Sequence, residues 1–147
     1  MLKLERIRQV ATERRDEQFT SLWHHVCNLN RLHEVYFELN RSGAPGVDRV
    51  TWQQYGENLW ANLTDLAKRL MRGAYKPLPV ERTYIPKGDG RMRPIGKPAL
   101  EDKIVQRVFA QVVGAVYEAD FMGFSYGCRA GRSQHNALDA VSVALVA

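Results

Sequence analysis

The sequence predicts an α+β fold that is predominantly helical and contains one small antiparallel β-hairpin. Apolar residues make up 45% of the 147-residue chain, which is enough for a packed core and excludes wholesale disorder. Apolar positions recur at helical spacing through residues 2–10, 22–39 and 52–71, and again after residue 98. Between these helical stretches, residues 80–95 alternate at period two on either side of a glycine-containing turn.

Local signals set the element boundaries in the first half of the chain. The helical pattern of residues 22–39 ends before the segment 43–48, whose glycines and proline predict a tight, ordered loop. Thr51 and Gln54 have the spacing of a capping box, so the next helix begins near residue 52. Gly73 ends that helix, and the prolines that follow prevent it from resuming.

The second half combines the hairpin with two further helices. Strands over 80–85 and 91–95 are joined by a reversing turn. A long helix follows the hairpin, and a loop over 120–132 leads to a last helix that begins near Ser133. Residues 137–146 then become steadily more apolar, without a cap or a glycine stop. We therefore expect the chain to be a fragment whose exposed apolar surface supports a homodimer.

The positive charge is concentrated around the hairpin. The chain has a net charge of +5 and a pI of about 9.4, which favours an anionic partner, with nucleic acid first. Residues 82–107 alone carry seven Lys and Arg against three Asp and Glu. Arg91 and Arg93 share one face of a strand, and Lys87 can converge on that face, so the three could hold a polyphosphate. A solvated edge strand that carries charges against aggregation explains the same pattern equally well.

A second candidate site is the loop over 123–133. Its aromatic residues alternate with arginines and glycines, a composition that can stack bases and approach a phosphate backbone. Taken alone, this composition favours a glycine-rich connector whose aromatic side chains fill the core.

Carboxylate and zinc sites are not predicted. Glu118 with Asp120, and Glu101 with Asp102, are the acid pairs of this half, and neither has a third acid nearby for two-metal chemistry. The helical spacing of the histidines and Cys27 does not close a tetrahedral zinc site. The residues considered for zinc are His24, His25, Cys27 and His33.

Several cellular contexts are disfavoured. Cys27 and Cys128 lie a hundred residues apart without a spacing pattern, so a disulfide framework is not expected and a reducing compartment fits. The sequence contains no apolar run of membrane-spanning length, and its charged start is not a signal peptide. We expect a cytoplasmic protein of a bacterium or an organelle.

Six short motifs occur in one uninterrupted order, and their order is more informative than any one of them. They are GAPGVD at 43–48, YKP at 75–77, IPKGDGRMRP at 85–94, DKIVQ at 102–106, FSYG at 124–127 and RAGRS at 129–133. Over residues 20–147 this ordered set resembles the N-terminal part of group II intron-encoded reverse transcriptases, the maturase family.

The resemblance implies a place in a right-hand polymerase fold. Residues 1–77 correspond to the N-terminal extension and first conserved block, and residues 78–147 to the fingers, ending before the palm. Lys87 and Arg93 match residues that hold the phosphates of the incoming deoxynucleoside triphosphate, with Arg91 as their neighbour. The residues assigned to template or RNA contact are Arg82, Lys97, Tyr126, Gly127, Arg129 and Arg132.

The resemblance also implies what this chain lacks. In the family the catalytic aspartates lie in the palm, so this chain should contain no catalytic residue and be inactive alone. The parent enzyme would be an RNA-directed DNA polymerase that uses Mg²⁺ on ligands outside this chain. Its partners would be template RNA, intron RNA, a DNA primer and a dNTP. The alternative is a stand-alone, non-catalytic RNA-binding module for splicing or scaffolding.

Four departures from the usual family pattern leave the subfamily open. They are Arg49, Lys97, Cys128 and Ala130, and none removes a phosphate ligand. A maturase, a diversity-generating or CRISPR-associated reverse transcriptase, or a relative used in phage defence could share this region.

Overall fold

The structure, a computed structural model, describes residues 2–129 and 131–146; the side chains of Leu2, Lys3 and Val146 are not described. Ala130, in the last of the six motifs, lies outside the described residues. In chain order the elements are α1 (Leu2–Glu13), α2 (Trp23–Val26), α3 (Leu29–Glu38), α4 (Trp52–Glu57), α5 (Leu59–Met71), β1 (Glu81–Pro86), β2 (Met92–Lys97), α6 (Leu100–Tyr117) and α7 (Gln134–Val146). The described strands form one two-stranded antiparallel sheet, which confirms the predicted α+β class.

The chain divides into two compact units. One comprises Phe19–Val112, and the other comprises the residues up to Gln18 together with those from Val113 onward. This division does not follow the predicted subdomain boundary at residues 77 and 78, which assigns regions to parts of a longer enzyme and stays a prediction. Helix α6 contributes residues to both units.

The core of the first unit is built from α3, α5 and the first three turns of α6. Their fully buried side chains are Leu32, Val35, Tyr36, Leu63, Leu66, Leu70, Ile104, Val108 and Val112. The Tyr36 hydroxyl donates a 2.7 Å hydrogen bond to the Trp52 carbonyl, so this buried polar atom is satisfied while its ring stacks on the indole.

Two helices that the apolar pattern predicts as continuous are interrupted by asparagines. Asn28 separates α2 from α3, and its side chain accepts a 3.1 Å hydrogen bond from the Arg31 backbone N–H as a helix cap. Asn58 separates α4 from α5 with φ −124° and ψ 39°. The predicted capping box is confirmed, because Thr51 and Gln54 exchange side chain–backbone bonds of 3.0 and 3.3 Å.

The glycine-rich segment 43–48 is seated against the start of α6. A Cβ at Gly46 would lie 2.5 Å from the backbone nitrogen of Ala99, so only glycine fits at this position. The Lys103 ammonium donates a 2.6 Å hydrogen bond to the Ala44 carbonyl. The loop is therefore held at the point where β2 passes into α6.

The second unit contains α1, the end of α6 and α7. Ser133 and Asn136 exchange bonds of 2.9 and 3.3 Å at the start of α7, which confirms the predicted helix start. Large apolar side chains remain exposed on α7, and Leu145 is 81% exposed. The predicted homodimer through this surface stays a prediction. No helix in the described ranges has the length and apolarity to cross a membrane.

Candidate nucleotide and RNA interface

The basic hairpin, residues 81–97, has a register that fixes which side chains share a face. Ile85 lies opposite Arg93, and Glu81 lies opposite Lys97. Pairing continues past the strand end, because the Lys87 N–H donates a 2.7 Å bond to the Arg91 carbonyl. A three-residue loop then closes the hairpin, with Gly90 at φ +80° where glycine is favoured.

Residues opposite each other in an antiparallel pair project on the same side of the sheet. Strand alternation therefore places Lys87, Arg91 and Arg93 on one face of the basic hairpin, with Lys97 farther along it. Arg82 pairs with Gly96 and projects from the other face. The structure thus brings together the three residues predicted to bind the nucleotide and separates Arg82 from them.

The cations of this face differ in availability. Arg91 is held by Asp89 through contacts of 2.6 and 2.9 Å, and the hydrogen bonds from Arg91 lower the pKa of the Asp89 carboxyl. Lys97 lies 3.6 Å from the Glu81 carboxylate. Among the described residues, the exposed side chains of Lys87 and Arg93 have no hydrogen-bond or ion-pair partner. These two cations are free to bind an anion.

A polar cluster around the buried Asp102 holds the chain segment that enters β1. Asp102 is buried and accepts hydrogen bonds from the Tyr75 hydroxyl and, at 3.1 Å, from the Leu78 backbone N–H. Glu101, the residue before Asp102, accepts hydrogen bonds of 2.8 and 2.9 Å from the Arg69 guanidinium. Burial, followed by the hydrogen bond to Asp102, raises the pKa of the Tyr75 hydroxyl. The cluster anchors the foot of the basic hairpin, which is the end where the chain enters β1 and leaves β2.

This cluster is a connection that sequence reasoning missed. The motif at 75–77 and the motif at 102–106 meet through the Tyr75–Asp102 hydrogen bond, and Lys103 of the latter bonds the loop at 43–48. The sequence offered only two separate signals of this contact, a tyrosine at position 75 and an acid at position 102 near the start of a predicted helix. Nothing in their spacing says that they are partners 27 residues apart.

Arg49 adds a contact at the same end of the hairpin. It adopts φ 59°, a left-handed conformation that is costly for a residue with a side chain, and its guanidinium lies 3.3 Å from the Glu81 carboxylate. This departure from the family pattern thus keeps the backbone conformation that glycine would provide. In addition, it contributes a contact to β1.

The aromatic loop, residues 118–133, belongs to the second unit. It contains four predicted RNA-contact residues: Tyr126, Gly127, Arg129 and Arg132. Arg129 is bonded to Glu118 and to two loop carbonyls, and Arg132 to the Gly123 carbonyl. Both arginines are thus engaged inside the loop, whereas Gly127 is exposed and Tyr126 is half-buried.

The acids and histidines considered for metal binding are dispersed or engaged elsewhere. Across residues 2–129 and 131–146, no group of three or more His, Cys, Asp or Glu could hold a metal ion. Glu118 is paired with Arg129, and His33 stacks on Trp60 with 4.5 Å between ring centroids.

Similarity to known proteins covers nearly the whole chain. No protein-family model matches it. The chain is 43% identical to protein YkfC of Escherichia coli K12 over 109 residues, which are 73% of this chain and 29% of that protein. It is 32% identical to the group II intron-encoded protein LtrA of Lactococcus lactis over 145 residues, which are 96% of this chain and 24% of that protein. An uncharacterised 91 kDa protein in a cob intron of Schizosaccharomyces pombe is 40% identical over 63 residues, 43% of this chain and 8% of that protein.

These similarities establish a relationship to group II intron-encoded proteins. The chain spans only 29% of the length of YkfC and 24% of the length of LtrA.

Proposed function

Starting from that relationship, we propose that this chain is the N-terminal extension and fingers region of an RNA-directed DNA polymerase of the group II intron maturase type. In this proposal it binds template and intron RNA, and Lys87 and Arg93 hold the triphosphate of the incoming dNTP. The observation that carries the proposal is that Lys87 and Arg93 are exposed on one face of the basic hairpin and have no partner among the residues that the structure describes. The subdomain boundary after residue 77 belongs to the same proposal.

The electrostatics of the basic hairpin support a triphosphate ligand. An arginine fork can bind two phosphate oxygens at once, whereas a lysine acts as a mobile point charge. Lys87 stands at the tip beside the turn, and Arg93 stands one cross-strand pair farther down the same face. A triphosphate could therefore contact both along the ribbon, while the buried cluster at Asp102 holds the foot of the ribbon in place.

The role of these residues would be to position the substrate and neutralise its charge. In the proposed reaction the primer 3′-hydroxyl attacks the α-phosphorus of the dNTP, and pyrophosphate leaves. Mg²⁺ on palm aspartates outside this chain would stabilise the charge that develops. The described residues do not fit a site for two Mg²⁺ ions, since no three acids converge among them. Lys87 and Arg93 would orient the leaving phosphates and offset their charge.

The experiment that tests the proposal uses the full-length protein that contains this chain. Steady-state incorporation on an RNA template is measured for wild type, Lys87→Ala and Arg93→Ala, with Arg82→Ala as the matched control on the opposite face. We expect the first two to raise KM for dNTP and to lower kcat, and the control to leave KM for dNTP near the wild-type value. Unchanged kinetics in both test variants would contradict the proposed clamp.

A non-catalytic RNA-binding module is the second candidate function. The structural contacts of Glu101, Asp102 and Glu118 favour it, because these acids are held by Arg69, Tyr75 and Arg129 and are not directed towards a shared ion among the described residues. Translation of the gene past residue 147 distinguishes the two. A strand carrying an aspartate, followed by a Tyr-x-Asp-Asp turn, supports the polymerase, and a stop codon supports the module.

A further inference from the structure

Arg31, in the first turn of α3, is a buried cation that has no acidic partner among the described residues. Only 9% of the residue is exposed. Its Nε is buried without a hydrogen-bond acceptor, and its guanidinium forms no ion pair within the described part of the chain. An arginine side chain stays protonated in proteins, so it does not escape the cost of burial by losing its charge.

The sequence around Arg31 supplies no compensating negative charge. No Asp or Glu occurs from Gln18 to His33, and the first turn of α3 contains no acid. The amino end of a helix carries the positive end of the helix dipole, which disfavours a cation at this position. Glu34, one turn farther along α3, is exposed and forms no ion pair with Arg31. Burial, lack of a partner and helix position therefore all disfavour this charge.

Other buried charges in the described residues have a partner of opposite sign. The side chain of Arg129 is 6% exposed, and its guanidinium lies 2.6 Å from the Glu118 carboxylate. Glu81 Oε2 is, like Arg31 Nε, a buried atom without a hydrogen bond, but it lies 3.3 Å from the Arg49 guanidinium. Arg31 thus departs from the way in which this chain treats its buried charges, and a ligand of negative charge would remove the departure.

We propose that Arg31 binds the carboxylate of an acidic side chain that belongs to the same protein and lies outside residues 1–147. The inference rests on the proposed function, because that function places the chain in a longer polymerase. The chain spans 29% and 24% of its two bacterial relatives, so most of each relative lies outside the region of similarity. The edge of a guanidinium formed by Nε and one Nη matches the two oxygens of a carboxylate.

The burial of Arg31 favours a protein carboxylate over a nucleic-acid phosphate. A phosphate belongs to a hydrated backbone and reaches cations that stand in solvent, as the side chains of Lys87 and Arg93 do. A residue that is 9% exposed is accessible to a single side chain. The protein segment that carries this acid would also exclude the remaining water, which strengthens a charged hydrogen bond.

The experiment compares amide hydrogen exchange of α3 in the 147-residue chain and in the full-length protein. In the full-length protein, Arg31→Met leaves a buried carboxylate unpaired, so exchange should be faster by about tenfold or more. In the 147-residue chain the same change removes an unpaired charge, so exchange should be equal or slower. Arg72→Met, at an exposed arginine without a described partner, is the control and should not show this reversal.

Titration with small anions tests the chemistry of the ligand. Sodium acetate or sodium phosphate replaces sodium chloride at equal ionic strength during urea denaturation of the 147-residue chain. Acetate should raise the urea midpoint, Arg31→Met should abolish this increase, and Arg72→Met should keep it. Arg31→Lys should keep a smaller increase, because lysine retains the charge but lacks the planar fork. In the full-length protein the carboxylate competes with acetate, so the increase should be absent.

Four results would overturn the inference. Equal acceleration by Arg31→Met in both lengths of the protein means that contacts inside the chain hold Arg31, and no change in either means that water solvates it. Stabilisation by phosphate but not by acetate makes a phosphate the ligand. A stop codon directly after residue 147 removes the proposed function together with this ligand. By contrast, a full-length enzyme that polymerises and whose Arg31→Met variant exchanges α3 at the wild-type rate refutes the inference alone.

Discussion

The basic hairpin and the aromatic loop have similar compositions but use their arginines in opposite ways. Each contains three glycines, at least one aromatic residue and at least two arginines. In the hairpin Arg93 is exposed and has no partner in the described part of the chain, whereas in the loop Arg129 is almost completely buried among carbonyl and carboxylate oxygens. Composition therefore does not tell whether a cation is available to a ligand.

The backbone explains this difference. In a two-stranded ribbon the carbonyls that face the partner strand accept hydrogen bonds from its backbone N–H groups. The side chains stand away from the sheet, so an arginine finds few internal acceptors. An irregular loop leaves carbonyls without a ladder partner. Arg129 and Arg132 satisfy three of these in residues 122–125.

The largest expected effect is on catalysis through the exposed cations. In the full-length protein, Lys87→Ala combined with Arg93→Ala should lower kcat/KM for dNTP by about 100-fold or more, since each charge-assisted hydrogen bond contributes roughly 1.5–3 kcal/mol. Steady-state kinetics with varied dNTP measures the effect. A loss equal to that of Arg82→Ala would mean that the two faces of the hairpin do not differ in function.

A second prediction compares the two engaged arginines. Arg129→Ala should speed amide exchange at 119–128 by about tenfold or more, because it removes the donors of a carboxylate and two carbonyls. Arg91→Ala removes an ion pair whose arginine is largely exposed, and exchange at 84–95 should change less than about threefold. Equal acceleration in both segments would remove the proposed contrast.

A third prediction concerns the foot of the hairpin. Tyr75→Phe leaves buried Asp102 without one donor and should lower the free energy of unfolding by about 1–3 kcal/mol, measured by urea denaturation near pH 7. Because the pKa of Tyr75 is raised in the folded state, its contribution is complete below the ordinary tyrosine pKa of about 10 and is lost as the pH rises beyond it. Wild type should therefore lose more stability between pH 9 and 11 (roughly one unit either side of that value) than the variant does.

The smallest expected effect comes from releasing Arg91. Asp89→Asn removes the carboxylate that holds this guanidinium and should tighten single-stranded RNA binding about twofold at low salt, with a steeper salt slope. Anisotropy titrations measure both quantities, and Glu57→Gln, at an exposed side chain of α4 that has no partner among the described residues, is a control for the change in net charge. An identical gain in the control would assign the effect to net charge alone.

Much of the local structure could be predicted from the sequence. The Thr51 capping box, the start of α7 and the hairpin depend on neighbouring residues, so short-range signals are sufficient. The breaks at Asn28 and Asn58 were missed, because the apolar period continues across both positions. The local contacts at the two breaks differ: the Asn28 side chain caps the helix that follows, whereas the Asn58 side chain makes no cap hydrogen bond and its backbone N–H donates to the Gly56 carbonyl.

In the candidate site, too, some features follow from the local sequence and others only from the folded structure. Alternation along the strands was enough to place Arg91 and Arg93 together, and the pairing of Lys87 with Arg91 added the third cation. The assignment of Arg82 to the opposite face needed the register, which depends on the length of the turn. The inward direction of Arg129 and Arg132 could not be predicted, since three of their acceptors are backbone carbonyls, which every residue has, and the fourth is the carboxylate of Glu118.

The sequence by itself determined the class of the fold, the hairpin with its cationic face and the ordered motifs that relate this chain to group II intron-encoded proteins. Only the tertiary structure decided that Tyr75 and Asp102 join two of those motifs, and that Arg93 has no partner among the described residues while Arg129 and Arg132 are engaged. The physical reason is how far apart along the chain the interacting residues are. Turns, caps and strand alternation depend on residues a few positions apart, whereas the partner of a buried charge is set by which distant atoms the packed core brings within 3 Å.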